Sequence, residues 1–190
     1  MTVLCCTARL LKRLKQPAKP PEPEPQGNPL GEWYADLDFC NRTPFGVMLS
    51  SSTGAMLVLK GNAAGLRCPR EGAALQFGSL CEHFGLVGPR VNAEQRSFEA
   101  AFACAATRDR SLLALLNQRK QDAWRGFEYR SFFWVEAAAH DWATGFFKHP
   151  SVGPNTLHKL DHRLPLDLLQ QRRVPVSDAL PFRSLRKFLL

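Results

Sequence analysis

The sequence is poor in the patterns that announce chemistry. It has no G-x-x-x-x-G-K-[ST] phosphate loop, no G-x-G-x-x-G fingerprint and no G-x-S-x-G elbow. Without a backbone cradle for phosphate or an exposed nucleophile turn, nucleotide-driven and serine-hydrolase activities lose their usual supports. No apolar run approaches the roughly 18–20 residues of a spanning helix. Met1–Leu4 is too short for the apolar region of a secretory leader, and the cations follow it instead of preceding it. Together these absences predict a soluble, cytoplasmic protein. None of the six cysteines (Cys5, Cys6, Cys40, Cys68, Cys81, Cys104) belongs to a C-x-x-C pair, which argues against a cysteine-only zinc site. In a reducing compartment they are expected to be free thiols acting as small hydrophobes. Charge is missing by sign: residues 1–20 hold five cations and no anion, whereas residues 21–40 hold five anions and no cation. The formal net charge of +8 permits nucleic acid or another anionic partner without requiring one, and the two opposed segments can neutralise each other.

What is present has the organisation of an α+β protein. A chain of 190 residues, 45% hydrophobic, fits one domain over residues 1–190. Residues 17–29 form a proline-rich internal linker, and residues 150–190 an irregular or helical C-terminal extension. Thr2–Cys6 has the composition of a strand. Thr7 is a plausible N-cap for a helix to Gln16 with Leu10, Leu11 and Leu14 on one face. In Trp33–Cys40 the apolar Trp33, Ala35, Leu37 and Phe39 alternate with Tyr34, Asp36 and Asp38, the period of a strand buried on one side. Phe45–Ser50 and Ala55–Lys60 follow across tight links, so the three strands are expected as an antiparallel meander. The period then becomes helical over Arg70–Phe84. A short helix, with Asn92 as a possible cap, and then a strand are expected over Asn92–Cys104. Asp109–Trp124 is a capped helix whose apolar face includes Leu112, Leu113, Leu115, Leu116 and Trp124, and Phe132–Phe147 is read as buried helix. The expected fold is therefore an N-terminal strand and helix, an antiparallel β-meander, helices packed on one face of the sheet, and a mostly helical C-terminal half.

Several polar groupings carry possible function. Thr107, Arg108, Arg110 and Ser111 lead into a helix that includes Asn117, and a helix N-terminus flanked by arginines favours an anion. With Trp33 and Tyr34 these residues make the candidate ligand- or anion-binding set, although a capped helix with locally paired arginines explains much of the pattern. His158 and His162 stand four apart with Asp161 between them, which is metal-ligand spacing. The H-E-x-x-H glutamate is absent, and Pro154 and Pro165 crowd the helix it would need. Asp36 and Asp38 share a strand face and, with His158 or His162, make the ligand set of a metal-dependent alternative, but a solvent face opposite the basic N-terminal helix accounts for them as well. The segment Trp124–Trp134 mixes aromatics and cations as base stacking requires, and equally as a packed helix requires. The basic N-terminal helix could also lie on a membrane surface.

Three segments carry a family resemblance. Cys6-Thr7-Ala8-Arg9-Leu10-Leu11-Lys12-Arg13-Leu14 fits C-T-x-x-L-L-x-x-L, and Leu30-Gly31-Glu32-Trp33-Tyr34-Ala35-Asp36-Leu37 fits L-G-x-W-Y-x-x-L. Thr107, Arg110, Ser111, Leu113 and Asn117 fit T-x-x-R-S-x-L-x-x-x-N-D, with Gln118 in the final position. A fainter echo is Pro181-Phe182-Arg183-Ser184-Leu185-Arg186. The chain thus resembles an uncharacterised bacterial family, a domain of unknown function found in small plasmid and chromosomal proteins. The resemblance implies a fold and no established activity. The expectation is a non-enzymatic interaction module, without cofactor, binding a protein or an anionic ligand. A small metal-dependent hydrolase or nuclease and a nucleic-acid-binding protein are the alternatives.

Overall fold

The computed structural model describes residues 1–24, 30–67, 69–100 and 102–129. Their elements run β1 (Thr2–Cys6), α1 (Ala8–Arg13), β2 (Trp33–Cys40), β3 (Thr43–Ser50), β4 (Met56–Lys60), α2 (Ala63–Arg67), α3 (Pro69–His83), α4 (Pro89–Glu99), β5 (Phe102–Ala106) and α5 (Arg110–Tyr129). The N-terminal strand and helix and the β2–β3–β4 meander are as expected. Thr7 caps α1, its hydroxyl accepting the Leu10 N–H at 3.4 Å. The β2–β3 link is a two-residue turn in which Asn41 and Arg42 have φ of 47° and 69°. That mirror-image turn matches the right-handed twist of the strands it joins.

The sheet is mixed. Its order is β4-β3-β2-β1-β5, with β1 parallel to both β2 and β5. Helices cover both faces, which corrects the one-faced expectation. On one face Leu4, Trp33, Ala35, Leu37, Met48 and Leu57 pack under α1, α3 and α4. There the rings of Trp33, Phe77 and Phe98 meet edge-on or tilted, 5.3 to 6.5 Å apart. On the other face Val3, Cys5, Tyr34, Phe45, Val47 and Val58 pack under Leu112, Leu115, Leu116, Ala123 and Phe127 of α5. The reason lies in β1 and β4: Thr2–Cys6 and Met56–Leu59 are buried throughout. Such continuous apolar runs are sealed from both sides.

Two helix details also differ from expectation. Helix α4 begins at Pro89 behind Gly88, not at Asn92; proline at the first helical position loses no hydrogen bond. Trp124 stands 38% exposed, outside the apolar face of α5. Helix α3 closes one sheet edge: the Gln76 carboxamide accepts the Val58 N–H at 2.6 Å and donates to its carbonyl at 2.9 Å. The expected helix at Phe132–Phe147 and the extension 150–190 lie outside the described residues.

Candidate functional site

Beyond β5 the Thr107 N–H extends the ladder to the Cys6 carbonyl at 3.3 Å, and the chain then turns onto the α5 face. Asp109 caps α5. Its carboxylate accepts the N–H groups of Ser111 at 2.8 Å and Leu112 at 3.1 Å. The N–H groups of Ser111 and Leu112 are thereby satisfied from within, which leaves an incoming anion to be held chiefly by side chains. Those side chains surround a cleft of about 600 Å³. Tyr34 and Leu112 line it from the sheet and from α5, Ser51 and Ser52 from the β3–β4 turn, and Glu32, Arg108, Asp109 and Arg110 complete it. Burial, with Cys5 and Glu32 nearby, pushes the Tyr34 phenol up to about 12, so it remains a protonated donor at neutral pH.

The two arginines differ. Arg108 donates from Nη1 to Glu22 and from Nη2 to Glu32. Arg110, exposed on the cleft wall, has no hydrogen-bond or ion-pair partner among the described residues. Gly31 holds the rim together. Its φ is +72°, and a Cβ there would stand 2.8 Å from Ser51 Oγ. The flanking Leu30 carbonyl accepts the Ser50 and Ser52 hydroxyls at 2.9 and 2.6 Å, and the Glu32 carbonyl accepts the Ser51 N–H at 2.8 Å. Only a residue at ease with positive φ lets the β3–β4 turn come this close. The L-G-x-W-Y segment is therefore a clamp between the end of the proline-rich arm and that turn.

Of the residues singled out in the sequence, the cleft gathers Tyr34, Arg108 and Arg110. Thr107 is half-buried at the strand end, whereas Ser111 and Asn117 are exposed on α5 and absent from the lining. Trp33 is on the opposite face, fully buried, because adjacent strand residues point to opposite sides. His158, His162 and Asp161 lie outside the described residues, as does the aromatic segment beyond Tyr129.

Asp36 was expected on a solvent face and is instead 4% exposed. Its Oδ1 accepts the Thr7 hydroxyl and, at 2.8 Å, the Leu37 N–H; its Oδ2 accepts Lys120 Nζ and, at 3.3 Å, Arg9. Arg9 and Lys120 also reach Asp38, at 3.6 and 3.7 Å. Burial raises the Asp36 carboxyl, but the Lys120 ammonium, the Thr7 hydroxyl and the Leu37 N–H outweigh it and hold the group below the usual range. A metal at Asp36 would have to displace these donors. On the other face, fully buried Glu94 accepts the Trp33 Nε1–H at 2.8 Å and the Leu30 N–H at 3.2 Å. Its desolvation outweighs both donors and raises its pKa. The sequence reading missed Lys120 and Glu94. Lys120 had a signal: it stands one helical turn beyond Leu116 and three residues before Ala123, on the same α5 stripe.

Burial also pushes the thiols of Cys5 and Cys81 up to about 12, with Glu32 and Glu94 respectively adding to the shift. None of Cys5, Cys6, Cys40, Cys81 and Cys104 is joined in a disulfide.

A family model described as a domain of unknown function (DUF6933) matches residues 3–136. No curated protein and no solved structure matches the chain. The matched stretch runs from β1 past the end of α5 and contains the Cys6–Leu14, Leu30–Leu37 and Thr107–Asn117 segments, with Pro181–Arg186 beyond it. The chain belongs to this family.

Proposed function

For this member of the family we propose an interaction module that takes a carboxylate of an acidic partner protein into the cleft at the start of α5. Arg110 and Arg108 supply the charge, and Ser51, Ser52 and Tyr34 supply neutral hydrogen bonds. The observation that carries this reading is the exposed Arg110 guanidinium on the cleft wall, without a partner among the described residues. Beside it stands Arg108, which already binds carboxylates of its own chain. The volume of about 600 Å³ is that of an ordinary ligand site. The described cysteines, used as mostly buried thiols and not as disulfides, support a reducing, cytoplasmic setting. Commitment of Asp36 to Lys120, Thr7 and Arg9 weighs against the hydrolase alternative.

The test is fluorescence anisotropy of a fluorescein-labelled hexaglutamate peptide titrated with the full chain. Arg110→Ala should weaken binding about tenfold, the loss expected of a hydrogen bond to a charged group. Affinity should also fall between low and physiological salt, because exposed charges are screened. Equal binding by Arg110→Ala and the wild type would place the anion elsewhere and end this reading.

A further inference from the structure

We propose that Glu22, on the proline-rich arm between α1 and β2, is a built-in competitor for the carboxylate that the cleft receives, and that the ligand must displace it from Arg108. This rests on the reading of the cleft given above. A guanidinium presents two terminal nitrogens as a fork, and its strong pairing with a carboxylate uses two parallel bonds. Here the fork is divided: Glu22 takes Nη1 and Glu32 takes Nη2. With one carboxylate on each prong, that edge cannot offer a bidentate grip to a third.

The two occupants are not equally held. Glu32 directly precedes β2, its carbonyl is bonded to the Ser51 N–H, and its second carboxylate oxygen accepts the Cys5 thiol at 3.6 Å. Glu22 has a side chain 76% exposed and lies between Pro21 and Pro23, in a stretch without regular secondary structure. Among the described residues, no other residue of 17–24 makes a hydrogen bond or ion pair. The prolines keep such an arm semi-extended, so it docks with little loss of chain entropy and leaves as a unit. An exposed ion pair is weak, which suits a latch: a ligand carboxylate takes the Nη1 prong of Arg108 from Glu22 with one oxygen, engages Arg110 on the same cleft with the other, and wins by holding both cations.

The experiment uses the full chain with the labelled hexaglutamate probe. Glu22→Gln should bind it about three- to fivefold more tightly than the wild type, the range open to an exposed ion pair. Glu24→Gln, which removes the same charge nearby, should bind as the wild type does. Equal affinities for Glu22→Gln and the wild type, with Arg110→Ala still weakened, would overturn the latch and leave the cleft reading standing. Equal affinities for all variants would remove both. A probe-free measurement reads the latch alone: hydrogen exchange of the Arg108 guanidinium, followed by NMR, should accelerate in Glu22→Gln without ligand. Unchanged exchange would overturn the proposal.

Discussion

Asp36 and Lys120 show what a single residue pair does here. With side chains 5% and 8% exposed, they form a buried ion pair tying α5 to β2. Such a pair contributes little against a well-packed apolar replacement, but breaking it strands a charge. Lys120→Met should therefore cost about 3 kcal/mol in urea unfolding, and Asp36→Asn with Lys120→Met should cost less than the sum of the single changes. Asp36 and Glu94 also give opposite pH slopes. Asp36 titrates below its unfolded value, so its stabilisation is complete above about pH 4 and is lost as pH falls through the folded value. Glu94 titrates above its unfolded value, so stability declines as pH rises from about 4 toward that raised value. Melting temperature against pH should lose its acid-side fall in Asp36→Asn and flatten on the other side in Glu94→Gln. The sequence concealed this pair because polarity on alternate strand positions also describes a wet face, and Asp36's partner stands 84 residues away.

At the scale of elements, local signals were legible wherever they sufficed. The strands Thr2–Cys6 and Trp33–Cys40 have the bounds that their patterns predicted, and Thr7 and Asp109 cap their helices. Parallel pairing of β1 with β5 joins segments about a hundred residues apart, and no local pattern encodes it. Nor does the sequence say that Gln76 closes the β4 edge. Gln76→Ala should cost about 1–2 kcal/mol by leaving Val58's N–H and carbonyl without that partner. Faster amide exchange at Val58 should accompany the loss. Gly31→Ala meets both a strained φ and Ser51 Oγ; it should cost about 1–3 kcal/mol and weaken the peptide affinity by disturbing the rim.

For the molecule as a whole, the sequence showed one buried face of β2 and missed that the opposite side is buried as well. Alternation did place Trp33, Ala35 and Leu37 together, yet Phe39 in the same register is 45% exposed while Tyr34 and Asp36 are buried. What α5 covers depends on how it docks, a property of tertiary packing. The charge segregation is likewise resolved only in three dimensions: Arg9 neutralises Asp36 and Asp38, but Glu22 and Glu32 are drawn to Arg108. Of the candidate site, Arg108 and Arg110 were legible as cations at a helix entrance and Tyr34 as an aromatic on a strand; the clamp by Ser51 and Ser52 was not, since serines in a turn are ordinary. Because half-buried Cys104 is the most accessible of the five described thiols, brief iodoacetamide treatment of the native chain followed by peptide mass spectrometry should label it ahead of Cys5, Cys6, Cys40 and Cys81.

The most direct test of the central claim is NMR of the arginine side-chain Nε–H groups in the full chain, titrated with hexaglutamate. The resonances of Arg108 and Arg110 should shift together and saturate with one dissociation constant. Movement confined to other arginines, with these two unchanged, would contradict the account.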